Sequence, residues 1–193
     1  MEQEKKIEKN DLIKDAKKSL ETMSRDISMN KIPFNQFQLY YTALKGYISL
    51  GTEDYLPYAM SLSNAEVIII DYNSEELFKK ISKDLGDIIA NRLRKGLQAE
   101  KINLAEDYAK IKKLISTTNI SLDSFYSSCD KLRLAMMAKI DGINYLDWAK
   151  TLQEASVIPA KTYDEIVKYQ GYQKLLSDVV SQLEQNTKGV SKR

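Results

Sequence analysis

The chain has 193 residues, with 29 Lys and Arg against 27 Asp and Glu, 43% hydrophobic residues and no histidine. That length and composition suit a soluble globular chain with one good core or two small ones, and seven glycines with three prolines are too few turn formers for a many-stranded fold. Without imidazole the commonest general base, metal ligand and triad member are missing, which removes histidine-dependent hydrolases and most zinc enzymes.

Taken in chain order, Ile13, Ala16, Leu20, Met23 and Ile27 repeat by threes and fours and predict a helix over about residues 3–29. After Pro33 a second helix, over about 34–50, carries one stripe of Phe34, Phe37, Tyr41, Leu44 and Ile48 and another of Leu39, Tyr40, Ala43, Tyr47 and Leu50. A helix apolar on two sides must be covered on two sides, either inside the bundle or by a partner. Gly51 and Thr52 mark a break before a third helix at about 53–72. The run Val67 to Tyr72 would pass for a buried strand, but no second convincing strand is visible, so it is read as a buried helix end, with a short intermolecular strand as the alternative.

Asn73 or Ser74 can cap the next helix, whose apolar face is Leu77, Phe78, Ile81, Leu85, Ile88 and Ile89. Arg92 projects onto that apolar side, so either the helix bends near Gly96 or an acid meets the charge. Asn103 with Glu106, and Thr162 with Glu165, have capping-box spacing and open two further helices. Ser121 opens another, with Leu122, Phe125, Cys129, Leu132 and Met136 inward, and a shorter helix follows the Asp141-Gly142 turn at about 144–156. The expected architecture is all-α: a single-domain bundle of about seven helices over residues 1–186, with a short polar and basic tail at 187–193. No internal repeat of fixed period and no interdomain linker is legible.

Chemistry is sparse. Cys129 is the single cysteine, lies on an apolar stripe and has no positive neighbour to activate it. Asp71 to Glu75 opens like a calcium loop, but Glu76 stands where the loop needs glycine and Ser82 where it needs a bidentate acid. There is no phosphate loop and no dinucleotide fingerprint, so no enzyme, cofactor or metal is expected. The charged N-terminus lacks the apolar run of a signal peptide, and Val67–Ile70 is far short of the roughly 20 residues that span a bilayer. A cytoplasmic chain without membrane contact is expected.

Charge is the one lopsided feature. Residues 32–78 hold one basic and six acidic side chains, whereas residues 79–113 hold ten basic against five acidic. The first expectation is a nucleoprotein assembly subunit that lays Lys79, Lys80, Lys83, Arg92, Arg94, Lys95, Lys110, Lys112 and Lys113 along an RNA or DNA backbone. Its acidic, aromatic region, with Phe34, Phe37, Tyr40, Tyr41 and Tyr47, would meet a neighbouring subunit. The second expectation is an adaptor or scaffold that docks a helix on a protein partner, with no nucleic-acid role.

Overall fold

Apolar residues at intervals of three and four become helices almost throughout. The computed structural model describes residues 2–190, with side chains described for residues 9–186. Among the described residues there are eight helices: α1 (Glu2–Met29), α2 (Phe34–Ser49), α3 (Leu56–Ser63), α4 (Tyr72–Ala99), α5 (Leu104–Ile115), α6 (Leu122–Met137), α7 (Tyr145–Gln153) and α8 (Tyr163–Val190). Two strands of two residues, β1 (Ile32–Pro33) and β2 (Val67–Ile68), complete an all-α architecture. Helix α8 runs into the stretch expected as a tail, of which residues 191–193 lie outside the described residues.

The chain divides into two compact units, Met1–Arg92 and Leu93–Arg193. The boundary falls inside α4, so no linker announces it to a reader expecting one domain over 1–186.

In the N-terminal unit α1 packs on α2 and α3. Leu20, Met23, Phe37, Leu44, Leu62 and Leu85 are shut off from water at its centre. Burying a side chain of this size contributes about 1.5–3 kcal/mol. The expected helix at 53–72 is corrected. Helix α3 ends at Ser63, and Val67–Ile68 forms a strand parallel to Ile32–Pro33, with Ile32 opposite Val67. The Ile32 N–H donates to the Glu66 carbonyl at 2.9 Å. The partner strand escaped notice because two residues, one of them proline, carry no period. The cap of α4 is corrected too: Asp71, rather than Asn73 or Ser74, accepts from the Ser74 N–H at 2.8 Å and the Ser74 hydroxyl at 2.6 Å. Arg92 is met rather than freed, its Nε–H donating to the Glu53 carbonyl at 2.9 Å, while α4 continues through Gly96.

In the C-terminal unit, α6, α7 and α8 enclose Phe125, Cys129, Leu132, Trp148, Leu152 and Leu176. Thr162 and Glu165 form the reciprocal capping box, whereas at Asn103 only half of it forms: Asn103 Oδ1 accepts from the Glu106 N–H, while the Glu106 carboxylate pairs with Lys110. Ile120 makes a parallel bridge to Val157, its N–H donating to the Ser156 carbonyl at 2.9 Å.

The two units therefore share one plan: helix, short extended segment, helix, helix, short extended segment, long helix. The residues follow it. Ile32, Phe37 and Leu44 recur 88 positions later as Ile120, Phe125 and Leu132. Leu56, Ala59, Leu62, Val67 and Ile68 recur 90 positions later as Leu146, Ala149, Leu152, Val157 and Ile158, and Leu85 recurs 91 positions later as Leu176. The turn after the second helix is left-handed in both, at Gly51 (φ 81°) and Lys139 (φ 50°). Two residues added between the second and third helices, and one more before the last helix, make the period drift. A search for a fixed repeat misses it for that reason.

Candidate functional site

The expected basic face is only partly free. On α4, Lys79 is held by Glu75 and Glu76 at 2.9 Å each, and the Arg92 guanidinium lies 3.9 Å from the Glu53 carboxylate. On α5, Lys110 pairs with Glu106 at 2.7 Å and Lys112 with Asp147 at 2.5 Å. Arg94 is half-buried and also engaged. Lys80 and Lys83 in the N-terminal unit, and Lys95 and Lys113 in the C-terminal unit, are exposed and make no ion pair among the described residues.

The acidic stretch is also partly neutralised from within. Lys17 reaches Asp54 at 2.6 Å and Lys31 reaches Glu66 at 2.8 Å. Lys17 and then the Tyr47 hydroxyl hold the Asp54 carboxyl below the usual carboxylate range. The Tyr41 hydroxyl, donating at 2.5 Å, does most to hold Asp84 low, and Lys45 at 3.2 Å adds to it.

The aromatic residues expected to meet a partner are mostly engaged within the N-terminal unit, although Phe34 also borders an open cleft. Phe34, Phe37 and Tyr47 are buried. Phe37 packs at 5.2 Å against Phe78, Phe34 at 6.3 Å against Phe37, and Tyr47 edge-on at 6.1 Å against Tyr58. Tyr40 and Tyr41 are half-buried, with hydroxyls committed to Asp26 at 2.6 Å and to Asp84 at 2.5 Å. The stripe of Phe34, Phe37 and Leu44 is covered by the chain's own residues, whereas the second stripe is covered only in part: Tyr47 is buried but Leu39 is 68% exposed and Ala43 is exposed.

Nucleophiles are poorly placed. Burial, reinforced by Asp130, pushes the Cys129 thiol up to about 12, and only a thiolate attacks efficiently. A cleft of about 270 Å³ in the C-terminal unit brings Ser124, Ser127 and Ser128 near Lys131. Asp107 binds the Lys131 ammonium at 2.8 Å, and an ammonium so held has no lone pair with which to activate a hydroxyl. Among the described residues no group of three or more acids and cysteines is gathered to hold a metal ion, and no helix is long and apolar enough to cross a membrane.

What the sequence reading missed lies beside β2. Ile70 is 87% exposed and Ile68 48% exposed, although their run was expected to be buried. Together with Pro33, Phe34, Gln38 and Leu77 they line an open cleft of about 540 Å³. Asp71, Tyr72 and Glu75 border an adjoining hollow that shares Ile70. The signal was present in the sequence as an apolar run with acids at both ends, Glu66 and Asp71, an arrangement at odds with a buried helix end.

Comparison with protein-family models, with curated proteins and with solved structures returned no match. The functional reading rests on this chain's own geometry.

Proposed function

We propose that this protein is a non-enzymatic helical subunit that binds a protein partner, acting as an adaptor or scaffold through the cleft beside β2. One observation carries the reading: a cleft of about 540 Å³ walled by Phe34, Ile68, Ile70 and Leu77 lies open beside β2, with Ile70 87% exposed at its edge. Exposed apolar clusters of this kind are costly to keep in water and mark contact surfaces. The internal ion pairs, which neutralise much of the sequence's charge asymmetry, favour this reading over the nucleoprotein one. A cytoplasmic location accompanies it, since a lone thiol asks for no oxidising compartment.

The test is capture of partners by immobilised wild-type protein and by the Ile70→Asp variant, whose exposed position leaves the fold intact. A partner that the wild type retains and the variant loses, at equal melting temperature, supports the reading. Identical capture by both proteins refutes it.

A second reading keeps nucleic-acid backbone as the ligand, favoured by the four exposed lysines Lys80, Lys83, Lys95 and Lys113. Each phosphate they neutralise steepens the salt dependence of binding by about one counterion. Glutamine at these four positions should flatten the salt slope, whereas glutamine at Lys79, Lys110 and Lys112 should alter it less. No binding to RNA or DNA at low salt removes this reading.

A further inference from the structure

The internal repeat shows what the cleft is shaped to receive. In the C-terminal unit the place of Gln38 is taken by Tyr126, a buried side chain. Its ring lies 4.8 Å from that of Tyr172 and 6.0 Å from that of Phe125. Its hydroxyl donates to the Glu165 carbonyl at 3.3 Å, and the Lys168 ammonium stands 4.3 Å over the ring. The cap residues Asp71 and Thr162 fix the register of the two long helices, since each accepts from the N–H three residues on. In that register Ser74 stands for Glu165, Leu77 for Lys168 and Ile81 for Tyr172.

Gln38, Ser74 and Leu77 are three of the residues that line the open cleft. Two of the positions around Tyr126, those of Glu165 and Lys168, thus face the cleft as Ser74 and Leu77, with Leu77 making the wall more apolar, while those of Tyr172 and Phe125 are filled by the buried Ile81 and Phe37. Exposure at two corresponding positions is alike in both units: Ile68 and Ile158 are 48% and 46% exposed, and Tyr72 and Tyr163 are 73% and 79% exposed. The anchor differs, with Gln38 standing where the other unit has Tyr126. Asp71, Glu75 and Lys79 border the hollow beside the cleft, and because Lys79 already pairs with Glu75 at 2.9 Å, Asp71 is the carboxylate there that no ion pair among the described residues takes up.

We propose that the cleft beside β2 seats an aromatic side chain from a partner protein, presented on a segment with a basic residue next to it. This rests on the protein-binding reading above and names the chemistry of its ligand. The incoming ring replaces the one that Tyr126 supplies in the other unit, packing on Phe34 and Leu77, while the neighbouring cation lies over Asp71. A flat ring offers a large apolar area at little rotamer cost, and such anchors dominate contacts of this kind.

The experiment is an amide-resolved NMR titration of the full chain with four small probes: N-acetyl-tyrosinamide, N-acetyl-leucinamide, and the acetylated, amidated dipeptides Lys-Tyr and Glu-Tyr. The expected result is a saturating shift at Gln38, Ile70, Ser74 and Leu77 with tyrosinamide, and little at Tyr126 and Lys168, where the site is already filled. Lys-Tyr should bind roughly two- to fivefold tighter than Glu-Tyr, the worth of one exposed ion pair. Gln38→Tyr should abolish the shifts by filling the cleft from within, and Ile70→Asp should weaken them if the first variant folds poorly. Leucinamide binding as tightly as tyrosinamide overturns the aromatic anchor and leaves the docking reading standing. Equal binding of the two dipeptides overturns the basic flank. No shift at the cleft with any probe overturns both the anchor and the docking reading.

Discussion

The Trp148 indole N–H donates to the Ser128 hydroxyl at 3.2 Å, with both side chains shut off from water between α6 and α7. A buried donor deprived of its acceptor bears its full desolvation cost, about 1–3 kcal/mol. Ser128→Ala should therefore lower stability by that amount. Because Trp148 is the only tryptophan, its fluorescence during denaturant unfolding reads the shift directly.

Leu44 and Leu132 occupy the same place in the two units, and both are fully enclosed. Truncating either to alanine should cost about 2–5 kcal/mol, the usual range for a leucine cavity. Amide exchange measured residue by residue should show lost protection centred on α2 for Leu44→Ala and on α6 for Leu132→Ala. A loss confined to other elements in either variant would contradict the shared plan.

Stability should decline on both sides of neutrality. Burial first, then the bonded carboxylates Asp84 and Asp54, push the Tyr41 and Tyr47 hydroxyls up to about 12. A phenol raised in the folded state stabilises fully below its unfolded value of about 10, and that stabilisation is lost as pH rises through the folded value. Between about pH 10 and 12 the midpoint of urea unfolding should fall, and Tyr41→Phe should reduce the fall. On the acid side Asp54 and Asp84 are held low, so their contribution is present above about pH 4 and disappears as pH drops through the depressed values. Tyrosinate absorbance and unfolding curves across pH check both arms.

Cys129 should stay silent toward thiol reagents. Its thiol is enclosed and raised to about 12, so labelling with a disulfide reagent at neutral pH should proceed only through unfolding. Labelling as fast in native buffer as in denaturant would show that the core around Trp148 opens freely.

Periodicity revealed most of the helices, because a helix that buries one face must write that face into the chain at intervals of three and four. The helix caps at Asn103 and Thr162 were legible for a similar reason, since the cap and its partner lie within one turn. The strand pair was not, because Ile32 and Val67 lie far apart in sequence and their pairing is made by backbone atoms that no side-chain pattern records. The charge asymmetry was legible, but not the partners that neutralise part of it. Lys17, from outside the acidic stretch, neutralises Asp54, and Asp147, from outside the basic one, neutralises Lys112.

Local order alone determined the helical class, the caps at Asn103, Ser121 and Thr162, the buried thiol and the want of imidazole chemistry, all of which depend on residue type and spacing of a few positions. Tertiary structure decided which apolar residues remain exposed, which charges are already paired and where the plan repeats. Each of these depends on partners brought together from distant parts of the chain. Gln38 shows the difference: in the sequence it is an ordinary polar residue on a helix, and only the fold places it where its counterpart holds a ring.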